Sequence, residues 1–215
     1  MPSASQTRVD QALVDGFRAK AQDVNAVVRE AADLDAALQY VVEVCEAKAP
    51  CEMLADEPDA EQGPLGPNGV PTRVKRIVAA PGLDDESYAK LSAACEAKGF
   101  ACIRDGLRKH LAGIDVGFSV AELGVAASGT CMVNTDSEEG RLAGMIAEIS
   151  VIALKKSEIY PHLPAVADRL RARMGDGSPT YTTFITGPSR TADIERVPAV
   201  GVHGPLELHI ILLEA

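Results

Sequence analysis

The chain has 215 residues, 47% of them hydrophobic and 24% charged, with a formal net charge of −10. That length and apolar content suffice for a buried core and exclude a mostly disordered chain. The acidity is concentrated in residues 1–62, with five Lys/Arg against thirteen Asp/Glu. It disfavours nucleic acid or an anionic membrane surface as a partner and leaves room for a small anion held by local donors. No apolar run approaches the ~18 residues of a membrane span, and the N-terminus lacks a basic-then-apolar signal layout, so no membrane insertion is expected and the expected compartment is the cytoplasm. Five cysteines (45, 51, 95, 102 and 131) include no CxxC pair. Reduced core thiols are expected, with no zinc or iron–sulfur site in this chain.

In chain order, Val9, Leu13, Phe17, Ala21, Val24 and Val28 recur at steps of three or four and predict a first helix. Asp33 is placed to cap a second, with Leu34, Leu38, Val41, Val42 and Cys45 as its apolar stripe and Pro50 limiting it. Residues 1–55 therefore read as an N-terminal helical extension. Residues 56–71, rich in Gly, Pro and acids, read as a loop. Its prolines remove backbone donors and no Gly-Lys-Ser/Thr follows, which rules out a phosphate loop. From residue 72 strands and helices alternate. Residues 74–79 predict a strand, Asp84-Asp85-Glu86 the start of a helix that Gly99 stops, and 100–103 the next strand. A short helix at 107–111 precedes extended runs at 114–116, 129–133 and 151–154. Pro164 opens a helix ending in Arg169, Arg171 and Arg173, cations suited to the negative end of its dipole. The last β-rich runs are 181–185 and 206–213, the latter apolar on both sides and so central in a sheet. The order predicts an α/β fold with a largely parallel central sheet flanked by helices over residues 72–215.

In open parallel sheets ligands bind beyond the carboxyl ends of strands, and three segments fall where such loops are expected. Residues 121–130 (AELGVAASGT) offer Glu122 as base or nucleophile and backbone donors near Ser128, Gly129 and Thr130. Residues 186–193 (TGPSRTAD) offer Gly187, Ser189 and Thr191 at a turn, Arg190 as a fork for carboxylate or phosphate, and Asp193 as a local partner for it. Residues 201–205 (GVHGP) place His203 in a turn, titrating near neutrality. Each segment also reads as an ordinary structural turn. His209, inside an apolar run, reads as structural.

The blocks ITGPSRTADI (185–194) and GVHGPLELH (201–209), with 121–130 and EGR (139–141), resemble the signatures of the lactate utilization protein C family, which carries the LUD domain. The resemblance implies a NagB/RpiA/CoA-transferase-like α/β fold and a cluster-free subunit of a system oxidising L-lactate to pyruvate, beside an iron–sulfur partner. It adds Arg141 to the candidate anion-binding residues. It departs from many relatives at Ala127, where they carry a carboxylate, and at Ser150, where they carry His. The expected ligand is a small anionic substrate cradled by the three turns, and a homo-oligomer is compatible with the sequence. The alternatives are a stand-alone isomerase or acyl-CoA-transferase-like enzyme using Glu122, and a non-catalytic assembly or regulatory subunit docking through its acidic N-terminal helices.

Overall fold

The computed structural model describes residues 9–175, 180–191, 199–200 and 204–214, with the backbone alone at 191, 199 and 200. Asp10 accepts a hydrogen bond from Ala12 N (3.0 Å) and opens helix α1 (Gln11–Asp23), which buries Val14, Phe17 and Ala21. The stripe expected to run on through Val24 and Val28 breaks. Asn25 takes a left-handed φ of 67°, and Val27–Ala31 becomes strand β1. The break follows from pairing with the other end of the chain: Val27 stands opposite His209 and Ala31 opposite Leu213 in a parallel ladder. Asp33 then caps α2 (Leu34–Ala47) through Ala36 N, as expected.

The reading of residues 1–55 as a helical extension is therefore corrected. Within them, residues 11–47 supply an edge strand, a helix on one face of the sheet (α1) and a helix on the other (α2). β1 pairs along its whole length with β13, so this segment is part of the sheet. The Pro/Gly-rich stretch is corrected too. It contains β2 (Gln62–Leu65), which closes an antiparallel hairpin with β3 (Pro71–Arg73).

β4 (Ile77–Ala79) leads to α3 (Asp85–Ala97), capped by Asp84 through Ser87 N, and then to β5 (Ala101–Ile103). β6 (Ile114–Val125) is longer than the sequence suggests and absorbs half of the 121–130 segment. A tight turn joins it to β7 (Thr130–Asn134). Helix α4 (Glu138–Ile146), absent from the sequence reading, starts where Ser137 Oγ accepts from Gly140 N. β8 (Ala147–Lys155), β9 (Ile159–Tyr160), α5 (Ala167–Met174) and β10 (Thr182–Ile185) follow. Two-residue strands β11 (Arg190–Thr191) and β12 (Ala199–Val200) pair with each other, and β13 (Glu207–Leu213) closes the chain.

The central strands run in the order β1-β13-β8-β6-β4-β5, all parallel, so β13 is central as its two-sided apolar pattern requires. Period-two alternation sorts side chains between the faces. Val116, Phe118, Val151 and Ile211 pack under α2 and α3. Ile152, Leu154, Leu208 and Ile210 pack under α1. Ile77, Ile114 and Ala147 pack under α4. Beyond its parallel partners β6 pairs antiparallel with β7, and β7 with β10, forming an arm that folds over the α1/α4 face. Buried Asp115 pins the entry to this sheet: its carboxylate accepts from Lys48 Nζ (2.8 Å), Cys51 N (3.1 Å) and Ile77 N (2.8 Å).

Candidate functional site

Between α4 and the antiparallel arm the sheet face is not covered. Its floor there is Ser119 of β6, Ser150 of β8 and Leu208 of β13. Ser150 pairs with Gly117 on one side and Leu208 on the other. Gly140, Arg141, Gly144 and Met145 of α4 make one wall, and Val133 and Thr135 of β7 with Thr183 and Ile185 of β10 the other. The turn Gly187-Pro188-Ser189 and Pro205 close the rim around a cavity of about 200 Å³. Two glycine effects create this hollow. A Cβ on Gly117 would collide with Ala143 O, so its absence lets α4 lie close to the sheet. A Cβ on Gly144, one residue further along the helix, would meet no atom within 4 Å. Helix and sheet are held close, yet among the described residues nothing fills the space beside Gly144.

The polar groups are few. Arg141 Nη1 donates to the carbonyls of Thr135 (2.8 Å) and Asp136 (3.0 Å), and its guanidinium lies 4.7 Å from the centre of the Tyr181 ring. These contacts hold a planar cation at the cavity wall in one orientation. Thr135 and Thr183 share a hydroxyl–hydroxyl bond (2.8 Å), and Ser119, Ser150 and Ser189 add three more hydroxyls. Val133, Met145, Ile185 and Leu208 are apolar. Such a bowl can take a carboxylate on the arginine, a hydroxyl or carbonyl on the serines and threonines, and hydrocarbon against the rest. Among the described residues no carboxylate or imidazole lines it.

Of the residues singled out in the sequence, Arg141, Gly187 and Ser189 line this cavity. The second and third segments meet as expected: Ser189 N donates to Pro205 O at 2.9 Å. Arg190 is exposed and does not line the cavity, and Thr191 pairs with Ala199 in the small β11–β12 ladder. Asp193 and His203 lie outside the described residues.

The first segment does something else. Glu122 lies within β6, pairs with Arg173 Nη1 at 2.9 Å and does not line the cavity. Arg173 also reaches Thr182 Oγ1 (3.0 Å) and Asp136 (2.9 Å), tying α5 to the arm rather than simply serving a helix dipole. Gly129, at φ 63°, turns β6 into β7 directly under α1, and a Cβ there would overlap the backbone of Ala21. Ser128 and Thr130 bond to each other (2.6 Å), and Thr130 bonds on to Thr186 (2.7 Å). The glycine admits a helix, and these hydroxyls satisfy one another. Next to this turn Cys131 is buried among α1 side chains, which pushes its thiol up to about 12. The sequence reading missed Ser119, Thr135, Gly144, Ser150 and Thr183. Ser119 and Ser150 had a signal, being polar residues on the face that Ile152 and Leu154 make apolar. For α4 the signal was Ser137 followed by two glutamates and then Leu142 and Ile146.

The LUD domain family model matches residues 14–213. The uncharacterized protein YkgG of Escherichia coli K12 is 38% identical over 101 residues, 46% of this chain and 44% of that protein. Lactate utilization protein C of Bacillus subtilis is 34% identical over 101 residues, 46% of this chain and 42% of that one. The matched stretch thus spans less than half the length of either relative. A crystal structure of a DUF162 family protein from Deinococcus radiodurans shares the fold, with a TM-score of 0.57 at 15% identity over 94% of this chain and 97% of that one. Among the described residues no helix is long and apolar enough to cross a membrane, and no group of three or more His, Cys, Asp or Glu could hold a metal ion.

Proposed function

The chain belongs to the LUD domain family, and from that premise we propose that it serves lactate utilization by binding a small 2-hydroxy or 2-oxo carboxylate, such as lactate or pyruvate, in the cavity against α4. In this reading it is the cluster-free member of a lactate-oxidising system, and electron transfer falls to an iron–sulfur partner. The observation that carries the proposal is the placement of Arg141, fixed by two carbonyls and the Tyr181 ring beside an apolar bowl studded with hydroxyls. The names of the curated relatives support the pathway. The pairing of Glu122 with Arg173, outside the cavity, speaks against a stand-alone enzyme using Glu122.

Isothermal calorimetry of the full chain with L-lactate and with pyruvate tests this. Binding at millimolar concentration is expected, weakened roughly tenfold or more in Arg141→Gln because a charge-assisted hydrogen bond to the carboxylate is lost. No heat from either acid, or equal binding by Arg141→Gln, would refute it.

A further inference from the structure

We propose that this cavity selects 2-hydroxy acids with an apolar side chain of four to seven carbons over lactate, and that Gly144 sets the limit. The inference rests on the reading that the cavity takes a 2-hydroxy carboxylate, and it concerns what lies beyond the carboxylate and hydroxyl. The first argument is volume. An apolar cavity of about 150 Å³ holds a benzene ring, and this one has about 200 Å³. The single methyl of lactate would leave most of the apolar wall facing water. The second is the direction of the free space. Arg141, Gly144 and Met145 follow at i, i+3 and i+4 on one helical face. Gly144 is therefore displaced from the Arg141 backbone by about 4.5 Å along the axis, and the Arg141 guanidinium is held back at the Thr135 and Asp136 carbonyls before the helix, so a ligand reaching from it to Gly144 spans at least three to four carbon–carbon bonds. Gly144 lines the same cavity as Arg141, and a Cβ there would meet no described atom within 4 Å, which leaves room for the side chain of a ligand whose carboxylate is on Arg141.

The third argument is chemical sorting. Near Arg141 the wall carries the Thr135–Thr183 hydroxyl pair. Val133, Ile185 and Leu208 supply apolar surface for the ligand's tail. Met145, 60% exposed, is an unbranched side chain at the rim that can adjust over ligands of different length. Each methylene moved from water into such surroundings strengthens binding about fourfold.

Calorimetry of the full chain with L-lactate, L-2-hydroxy-4-methylpentanoate and L-3-phenyllactate decides the matter. The two larger acids are expected to bind at least tenfold more tightly than lactate. Gly144→Val, with helicity checked by circular dichroism, should weaken the two larger acids at least tenfold more than it weakens lactate and so erase that advantage, and Gly144→Ala should fall between. Lactate binding as tightly as the larger acids would overturn the selectivity and leave the carboxylate site standing. Larger acids favoured equally by wild type and Gly144→Val would overturn the role of Gly144. No binding of any of the three would overturn the carboxylate reading and this inference together.

Discussion

One face of the sheet carries two glycine-bearing regions that use the missing side chain in opposite ways. Under α1, Gly124 and Gly129 are pressed by neighbours: a Cβ on Gly124 would lie 2.6 Å from Leu154 Cδ2 and 3.0 Å from Phe17 Cε2, and one on Gly129 would enter the backbone of Ala21. Under α4, Gly144 faces open space. The first region reads as a ligand loop in the sequence because it has glycines, hydroxyls and a carboxylate, and in the structure its close visitor is a helix. The second shows in the sequence only the short EGR block with Arg141, and it holds the cavity. A glycine shows that something approaches or that room is left, and only the packing says which.

Four experiments sharpen or break this contrast. Phe17→Ala should have the largest effect, about 3–5 kcal/mol of stability by urea denaturation, because a fully buried ring leaves a void between α1 and the sheet. A loss below ~1 kcal/mol would mean that α1 is not the plug. Gly129→Ala should destabilise by about 2–5 kcal/mol through a left-handed backbone angle and overlap with Ala21. Unchanged stability would show that the turn has room for a ligand after all. Cys131, with its thiol pushed up to about 12 by burial, should resist iodoacetamide at pH 8 and react at least about tenfold faster in Phe17→Ala, read by mass spectrometry of the labelled peptide. Equal rates in the two proteins would place the thiol outside the packing of α1. Gly144→Ala should stabilise the protein by about 0.5–1 kcal/mol, since alanine favours a helix interior and meets no neighbour there. A loss of stability would show the space beside Gly144 to be filled.

Much of the fold was legible. The Asp33 and Asp84 caps and the two-sided apolar run ending the chain each led to the element found, because a cap and a burial pattern are set by residues close in sequence. The failures have a common cause. Val27 and Val28 continue a helical stripe locally and become a strand because His209 and Ile210 offer a ladder. Residues 62–65 and 71–73 look like loop and form a hairpin around Gly69 at φ 74°. In the candidate site, Ser189 meets Pro205 and Arg141 stands at the wall, positions that short donor-rich motifs in the sequence pointed to. The ion pair of Glu122 was not legible, because its partner, Arg173, lies on α5, 51 residues away in sequence.

By itself the sequence determined the class of fold, the apolar strands that form its centre and the helix starts that carry a capping side chain. These depend on periodicity and on side chains reaching backbone two or three residues away. It took the tertiary structure to decide that residues 11–47 join the sheet at its edge and on both faces, that α1 fills the turn at Gly129 and that α4 leaves a hollow beside Gly144 among the described residues. Whether a position is filled or empty depends on how far apart two backbones are held. That distance is fixed by contacts such as Gly117 with Ala143 and Phe17 with Leu154, whose members are far apart in the chain.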